Sequence, residues 1–515
     1  MTIPIIDLFA GPGGLGEGFS SFTNSGKSPF NLALSIEKDA IAHQTLKLRS
    51  FVRQFNNDIP ENYYNYVKTD KANISEYLYN SKFNKQHKAA ESEAIKLALG
   101  PDNLKIENLI KDRIKKSKNW VLIGGPPCQA YSLIGRARMK KQENFAIDER
   151  HTLYENYLQM IAEFKPSVFV MENVKGMLSS EVDGKSVFSR IISDLSNPSK
   201  SLRKSKKSSL KYNIYSFTIK KEESVDLKPS DFIIKSEKYG IPQRRHRVIL
   251  LGIRSDIDNG ENQISLLKTK KQITVSDSIN NLPRLRSRLS RKQSDGGDNY
   301  SSWLKNLKKL PKKLAKSKIH SSAIDAITQY IENNNNNYDG GRFINTKIKK
   351  SSDSDFIKEN WNWFNDERLK GVLNHQSRKH MNSDLQRYLY CSVYAQRLNE
   401  APKLKNFPEA LLPNHKNAKQ GIFSDRFRVQ LKNQPATTVT SHISKDGHYY
   451  IHYDPTQCRS LSVREAARIQ TFPDNYFFEG TVTQQYHQVG NAVPPLLARQ
   501  LAETVYHIIQ KSNQI

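Results

Sequence analysis

The chain has 515 residues, with 80 Lys and Arg against 51 Asp and Glu and a formal net charge of +29. A chain of this length exceeds one ordinary domain and buries a core large enough to fold without a disulfide or a structural metal. So large a positive excess excludes an acidic solvating protein and favours a polyanionic partner. The alternative, a basic surface that only keeps the protein in solution, would give the same charge.

The three cysteines, Cys128, Cys391 and Cys458, lie far apart and form no C-x-x-C pair. This spacing excludes a zinc ribbon or a disulfide framework and is typical of a protein from a reducing compartment. The first residues contain no basic segment ahead of an apolar one, and no apolar run approaches the ~18 residues of a membrane helix. We therefore expect a cytoplasmic protein with no membrane contact.

Short apolar segments in the first half of the chain predict buried strands. They alternate with stretches of helical character, which indicates β–α–β units and a mostly parallel sheet. Active groups then belong at the carboxyl ends of the strands, where each distinctive turn of this chain also falls. The predicted strands are 3–9, 32–36, 120–123, 167–171 and 247–253.

The composition changes near residue 255. Between residues 284 and 318 there are twelve Lys and Arg against two acids, and another basic run, 200–211, interrupts the first part of the chain. Taken singly, each run is typical of a solvated surface. An amphipathic stretch at 462–472 and a final helix at about 495–509 follow. The predicted divisions of the chain are 1–254, 255–458 and 459–515.

A glycine-rich turn follows the first predicted strand. Gly11, Gly13 and Gly16 fit the pattern G-x-G-x-x-G, and Glu37 follows Gly16 by 21 residues, at the end of the next predicted strand. Glycines let the backbone approach a ligand, and an acid at that place accepts from two ribose hydroxyls. The pattern predicts a nucleoside cofactor, and by itself it does not separate NAD from S-adenosylmethionine (SAM). A tight turn without a ligand is the alternative.

A second distinctive turn, Gly-Gly-Pro-Pro, leads into Cys128 after the strand predicted at 120–123. The prolines restrict the turn and present the cysteine from it. A thiolate at such a place is a strong nucleophile, particularly beside an arginine or a helix N-terminus. The alternative is an inert buried cysteine, but two glycines and two prolines indicate a shaped loop.

Together these motifs resemble those of the DNA (cytosine-5) methyltransferase family of the bacterial restriction–modification type. Residues 7–19 are similar to the SAM loop of that family, and 124–132 are similar to its nucleophile loop. Further segments resemble its Glu-Asn-Val motif, its Gln-x-Arg-x-Arg motif and its last two motifs. These segments are 172–174, 243–247, 464–473 and 490–493. The matches follow the order of the family and bracket nearly the whole chain, whereas 255–458 matches no general motif.

The resemblance implies an α/β fold with a Rossmann-like SAM-dependent methyltransferase lobe and a smaller target-recognition lobe, residues 255–458. It also implies methyl transfer from SAM to C5 of a flipped-out cytosine in a specific double-stranded DNA sequence, through a covalent bond from Cys128 to C6. The reaction requires no metal. The DNA is expected to receive base contacts in the major groove and phosphate contacts from the basic runs. Such enzymes are commonly paired with a separately encoded restriction endonuclease.

The resemblance assigns roles to individual residues. Cys128 is the expected nucleophile, and Glu172 is expected to protonate N3 as the attack moves electrons towards it. Arg245 and Arg247 are expected to contact the base carbonyl and a phosphate, with a basic surface patch as the alternative. The residues expected to contact SAM are Asp7, Phe9, Gly11, Gly14, Leu15, Glu37, Pro126, Asn491 and Val493. Those expected around the DNA base are Pro127, Gln129, Ser132, Asn173, Val174 and Gln243.

Some questions stay open at this stage. The acid that faces the adenine of SAM is Asp58, Asp70 or Asp102, because the stretch before Cys128 is longer than the family core needs. A tRNA cytosine-5 methyltransferase is a rival interpretation, although such enzymes usually have a short recognition region. An NAD oxidoreductase explains the glycine turn and Glu37 but not Cys128. A non-catalytic DNA-binding protein of the same fold is the third rival.

Overall fold

The structure is a computed structural model in which part of the chain is described. The described residues are 2–56, 58–115, 117–127, 149–179, 181–182, 185–202, 210–220, 227–260, 264–290, 297–317, 320–350, 353–414 and 425–512. No helix among them combines the length and the apolar character needed to cross a lipid bilayer.

The centre of the fold is a twisted sheet, in which the described residues form eight strands in the order β3–β2–β1–β4–β5–β8–β6, with β7 also paired to β8. The five strands β1 to β5 run parallel to one another. Strand β8 is antiparallel to β5, β6 and β7. The strands are β1 Ile3–Leu8, β2 Phe30–Ile36, β3 Ala94–Ile95, β4 Val121–Gly124, β5 Val168–Val174, β6 Tyr212–Tyr215, β7 Ile233–Lys235 and β8 His246–Arg254.

All the predicted strands belong to this sheet, and the prediction of a mostly parallel α/β fold is confirmed. The main difference concerns β5, which was expected to end at Met171. It continues to Val174, because Glu172 and Asn173 pair with Ile249 and Val248 of the antiparallel strand β8. The extension places Glu172 within the sheet and not in a turn after it.

The strands are continuous apolar runs because helices cover both faces of the sheet. On one face, Ile5 of β1 packs in a core that also contains residues of the helices Gly14–Ser21 and Pro495–Ser512. On the other face, Ile6 packs in a core with residues of Asn103–Ile114, Glu149–Phe164 and Val187–Ser196. The other helices of this lobe are Ala40–Arg53, Glu61–Lys68, Ile74–Tyr77, Asn84–Glu93 and Pro198–Ser201.

The region after residue 255 has a core of its own, which contains Trp303, Leu385 and Tyr388. Its helices are Val275–Ile279, Tyr300–Leu307, Leu310–Leu314, Ser321–Glu332, Asp355–Glu359, Trp361–Phe364 and Asn382–Leu398. Its separation from the first lobe is incomplete, since Phe356 and Phe364 pack in a core of the large sheet. The division at residues 255 and 458 therefore stays a prediction.

Short strand pairs lie outside the large sheet, and all but one of them join segments that are far apart in the chain. Two of them are parallel and two are antiparallel. The parallel pairs are Gln243–Arg244 with Ala436–Thr437 and Arg288–Leu289 with Lys379–His380. The antiparallel pairs are Gly340–Asn345 with Gly371–Gln376 and Glu181–Val182 with Lys185–Ser186.

The helix Val463–Ile469 corrects the expectation of an amphipathic stretch, because every one of its residues is buried. Its polar side chains are satisfied internally. Arg464 donates to backbone carbonyls, including that of Tyr476, and Arg468 pairs with Asp474. The helix thus lies inside the protein, where it packs against residues of the region after residue 255, such as Val275 and Ile279. Two helices follow it, Val482–Asn491 and Pro495–Ser512.

Candidate active site

A cavity of about 470 Å³ lies at the carboxyl ends of the parallel strands β1, β2, β4 and β5. Strand ends at such an edge bring together side chains that are far apart in the sequence. The predicted site residues that line the cavity are Asp7, Phe9, Gly11, Leu15, Glu37, Pro126, Pro127, Glu172, Asn173, Val174, Asn491 and Val493.

Glu37 is held by the backbone at the end of β2. Its carboxylate oxygens accept hydrogen bonds from the Gly11 N–H at 2.8 Å and the Asp39 N–H at 2.7 Å. Burial raises the pKa of Glu37, and these two hydrogen bonds oppose that shift. Each oxygen has a second lone pair, so the carboxylate can still accept from a ligand hydroxyl.

Asp7 is buried under the glycine turn. Burial, followed by the negative charge of Glu37, raises the pKa of its carboxyl well above the usual range. The Gly16 N–H donates to this carboxyl, whereas Oδ2 has no hydrogen-bond partner among the described residues. A buried acceptor without a partner on a cavity wall is a suitable place for a ligand ammonium group, which would favour the ionised carboxylate.

Phe9 adopts a left-handed backbone conformation with φ of 63°, which is uncommon for a bulky residue. Strain of this kind is found at ligand sites that the surrounding structure holds in place. Gly14 differs from its expected role, since it does not line the cavity. A Cβ on Gly14 would lie 2.3 Å from the Val493 carbonyl oxygen, so this glycine allows the C-terminal segment to pack against the turn.

The turn before Cys128 is fixed by Asn173. Its buried side-chain amide donates to the Pro126 carbonyl oxygen at 2.8 Å, which links the end of β5 to the turn after β4. Asn173 was expected to shape the base pocket, and the structure adds this support of the turn. Cys128, Gln129 and Ser132 lie outside the described residues, but Pro127, the residue before Cys128, lines the cavity.

Glu172 and Arg247 form an ion pair at the same edge of the sheet. Arg247 Nε lies 3.0 Å from Glu172 Oε1, and both side chains are largely sheltered, with 17% and 15% exposure. This contact is an ion pair without a hydrogen bond, since Glu172 Oε1 has no hydrogen-bond partner among the described residues. Glu172 thus lines the cavity with one carboxylate oxygen that has no hydrogen-bond partner among the described residues.

Arg245 and Gln243 do not line the cavity, and neither does Arg247, so their expected contacts with DNA stay predictions. Arg245 is buried, and its Nη1 donates to the carbonyl oxygens of Val439 and Gly490. Burial, followed by the nearby charge of Arg247, lowers the pKa of Arg245. Gln243 is also buried and bonds to Gln470. Both residues thus link the segment before β8 to the C-terminal segment.

None of the three acids proposed to face adenine lines the cavity. The Asp58 side chain is fully exposed, near Arg368, and Asp70 lines a different cavity. Asp102 is the nearest in the chain to the cavity wall, since its Oδ2 accepts from the Ala98 N–H at 3.0 Å. It therefore supports a cavity-lining loop without facing the cavity itself.

Several lining residues were not predicted from the sequence. They include Lys38, Asp39, Leu97, Ala98, Leu99, Leu153, His487 and Gln488. The loop at 97–99 follows β3, a strand of two residues that no periodicity could reveal. The position of His487 at the cavity could have been predicted from the sequence, because His487 precedes Asn491 by four residues and therefore lies on the same helix face.

The comparison with known proteins agrees with this geometry. The family model for C-5 cytosine-specific DNA methylases matches residues 79–198 and 199–507. The type II methyltransferase M.Bpa9945I of Bacillus paralicheniformis is 33% identical, over 98% of this chain and 99% of that protein. M.DdeI of Desulfomicrobium norvegicum, also a type II methyltransferase, is 25% identical over 99% of this chain and 90% of its own length.

Among solved structures, a putative DNA modification methyltransferase encoded by an Escherichia coli prophage has a similar fold. The TM-score is 0.52 at 18% identity, over 99% of this chain and 100% of the other. The family model matches most of the sequence, and the glycine turn, Glu37 and Glu172 surround one cavity. The chain therefore belongs to the C-5 cytosine-specific DNA methylase family and is a DNA (cytosine-5) methyltransferase.

Proposed function

We propose that the enzyme transfers a methyl group from SAM to C5 of a cytosine flipped out of a specific double-stranded DNA sequence, through a covalent bond between Cys128 and C6. The observation that carries the proposal is that one cavity is lined both by the glycine turn with Glu37 and by Glu172 with the turn before Cys128. Cofactor and base would therefore meet in one space.

The described residues fit SAM as the cofactor. The unpartnered Asp7 Oδ2 is a site for its ammonium group, and Glu37 is a site for the ribose hydroxyls. Apolar side chains of Phe9, Leu15 and Val493 line the same part of the cavity. SAM supplies an electrophilic methyl group on a positively charged sulfur.

The proposed reaction starts from the Cys128 thiolate, because C5 of cytosine is a poor nucleophile. Formation of the Sγ–C6 bond moves electrons through the ring to N3, where Glu172 supplies a proton. C5 then forms a bond to the methyl carbon as the methyl–sulfur bond of the cofactor breaks. Loss of the C5 proton to a base, rupture of the Sγ–C6 bond and return of the N3 proton to Glu172 give 5-methylcytosine and the free thiolate.

Two other residues support the chemistry. Arg247 contacts Glu172 and would hold its carboxyl towards the ring. Val174 is 42% exposed at the cavity, and an apolar side chain there can contact a base that has left the duplex stack. The target base must leave the stack because its reacting atoms are otherwise inaccessible.

The test is methylation of plasmid DNA with SAM that carries a tritium-labelled methyl group. Label in 5-methylcytosine after nucleoside digestion is the expected result, and bisulfite sequencing of plasmid from an expressing host would show the recognised sequence. Label in tRNA and not in DNA would replace the proposed substrate. Binding of duplex DNA without transfer to either substrate would indicate a non-catalytic protein.

The proposed setting is the bacterial cytoplasm, with a separately encoded restriction endonuclease as the cognate partner. Methylation of the recognised sequence would protect the DNA from that endonuclease. Digestion of modified and unmodified plasmid with an endonuclease encoded beside this gene would test the pairing, and equal cleavage of both plasmids would contradict it.

A further inference from the structure

The stretch before Cys128 that exceeds the family core in length contains a segment rich in tyrosine. We call residues 58–93 the tyrosine segment, which has five tyrosines and lies between the helix Ala40–Arg53 and β3. Its side chains pack in a core that also contains Phe51 of that helix, Leu373 of the region after residue 255 and Phe477 of the C-terminal segment. The tyrosine segment therefore contacts all three predicted divisions of the chain.

The helix Glu61–Lys68 of this segment contains two tyrosines whose hydroxyls donate to distant carboxylates. Tyr64 donates to Asp366 Oδ2 at 2.8 Å, and Tyr66 donates to Glu479 Oε1 at 2.7 Å. Hydrogen bonds to an ionised acceptor are stronger than those between neutral groups. The two bonds have the same chemistry, but Asp366 forms no hydrogen bond with a described residue of the active-site cavity lining, whereas Glu479 does.

Glu479 connects the tyrosine segment to the active-site cavity. Its N–H donates to Thr45 Oγ1 at 2.9 Å, and its carbonyl oxygen accepts from Gln488 Nε2 at 3.0 Å. Gln488 lines the cavity, and Thr45 lies one helical turn after Ala42, which also lines it. Burial raises the pKa of the Glu479 carboxyl, and the hydrogen bond from Tyr66 opposes that shift. Tyr66 therefore stabilises the ionised side chain of the residue to which two walls of the cavity are bonded.

Gln488 has a buried acceptor that no described residue uses. The residue is 4% exposed, and its Oε1 has no hydrogen-bond partner among the described residues. Because Nε2 donates to the Glu479 carbonyl oxygen, the orientation of the amide is set and Oε1 is left for another donor. A buried acceptor without a partner is costly unless a ligand or a water molecule donates to it. On the cavity wall, Oε1 is therefore a place for an N–H or O–H group of a ligand.

We propose that Gln488 binds SAM through its Oε1 and that Tyr66 is a positioning residue, which holds Gln488 in place through Glu479. SAM carries N–H donors on its ammonium group and adenine and O–H donors on its ribose, which is the chemistry that this acceptor requires. The inference rests on SAM as the cofactor of the proposed function, and it adds a contact from outside the glycine turn and Glu37. The tyrosine segment thus supports the cofactor site from the side of the helix Val482–Asn491.

The test measures the dissociation constant for SAM by calorimetry, stability by urea unfolding, and the kinetics of methyl transfer to DNA. Tyr66→Phe removes the hydroxyl and keeps the ring in its core. We expect the dissociation constant for SAM to rise about threefold to tenfold, the range that corresponds to one net hydrogen bond. The KM for SAM should rise by the same factor while kcat changes less than about twofold, because the groups that take part in the chemistry are not altered.

The matched control is Tyr64→Phe, which removes the same kind of hydrogen bond from the same helix and leaves Glu479 unaltered. It should lower the free energy of unfolding by an amount similar to that of Tyr66→Phe, with the affinity for SAM unchanged. Equal SAM affinities in the two variants would overturn the inference and restrict the tyrosine segment to a role in packing.

Gln488→Leu tests the contact itself, since leucine is an apolar side chain without a hydrogen-bond acceptor. Its dissociation constant for SAM should rise at least as much as that of Tyr66→Phe, and adding Tyr66→Phe should then weaken SAM binding no further. Normal SAM affinity of Gln488→Leu, or a further loss in the double variant, would overturn the inference. A wild-type enzyme that binds SAM but makes no 5-methylcytosine would refute the proposed function, while the SAM affinities of the variants would still decide this inference.

Discussion

Two cavities of the molecule use charge in opposite ways: the active site, and a cavity of about 640 Å³ lined by Arg244, Arg426, Arg428 and Lys445, which we call the basic groove. In the active site, charged groups are sheltered and held by partners, as in the Glu172–Arg247 pair and the contacts of Glu37 with backbone N–H groups. In the basic groove, positive charges are more exposed and outnumber the carboxylates. Proton transfer requires a fixed geometry in a sheltered place, whereas attraction of a phosphate backbone requires charge that solvent and DNA can reach.

The largest expected effect is that of Cys128→Ala, because this change removes the proposed nucleophile. We expect methyl transfer to be abolished, while the salt dependence of DNA binding stays that of the wild type. Duplex DNA with 5-fluorocytosine at the target should trap the wild-type enzyme covalently, since fluorine at C5 cannot leave as a proton. Denaturing gels would show the adduct. Near-normal turnover of the variant would refute the covalent mechanism.

Next in size is Glu172→Gln, which preserves the shape of the side chain but cannot deliver a proton. We expect turnover to fall by roughly 10²–10⁴-fold, the usual contribution of a general acid. SAM affinity should stay near normal, because Asp7 lies on β1 and Glu37 directly follows β2, whereas Glu172 lies on β5. Single-turnover methylation and calorimetry with SAM would measure both. Loss of SAM binding would place Glu172 in the cofactor site, and unchanged turnover would remove it from the mechanism.

Gly14→Ala tests the packing of the glycine turn against the C-terminal segment. The added methyl group would meet the Val493 carbonyl oxygen, and overpacking of this kind costs about 1–3 kcal/mol in the free energy of unfolding. Because Val493 lines the cavity, SAM affinity should fall as well. Urea unfolding and calorimetry would measure the two effects.

The control for that change is Gly176→Ala, at an exposed glycine where a Cβ would meet no atom within 4 Å. It should leave the free energy of unfolding within about 0.5 kcal/mol of wild type. If Gly14→Ala behaves like this control, the close contact with Val493 does not contribute to stability.

The smallest effect on chemistry is expected for the basic run Lys308, Lys309, Lys312 and Lys313. Lys313 contacts Gln386 at 3.4 Å, and the other three are exposed. If the exposed three face phosphates, replacing all four by Gln should lower the salt slope by about 2.7 and weaken binding to all sequences alike. An unchanged slope in an otherwise active enzyme would identify this run as a solvated surface and restrict the phosphate contacts to places such as the basic groove.

The sequence by itself was informative where local chemistry decides the outcome. Apolar runs that end in Gly, Pro or acidic residues predicted the strands of the sheet, because strands buried on both faces must be continuously apolar. Glu37 and the Pro126–Pro127 turn were placed correctly at strand ends for the same reason. The motif around Cys128 predicts a covalent mechanism, and Cys128 itself lies outside the described residues.

Tertiary structure decided which motif residues face the cavity. Arg245 and Gln243 belong to the same predicted motif as Arg247, yet none of the three lines the cavity, and the side chains of Arg245 and Gln243 are buried against Gly490 and Gln470. The glycine pattern likewise could not show that Gly14 serves a contact with Val493. Such contacts join residues hundreds of positions apart, and no local pattern records them.

The sequence likewise does not show where positive charge collects in the folded protein, as the basic groove illustrates. The composition indicated a polyanionic partner, but the longest basic run in the sequence is not the one that lines the second cavity. Arg244 and Lys445 come together only because the strand Gln243–Arg244 pairs with Ala436–Thr437 and the segment that follows residue 437 packs on the helix Val482–Asn491. The sequence determined the sheet, the reaction and the sign of the charge. Only the fold decided where that charge accumulates, because long-range packing determines which basic side chains become neighbours.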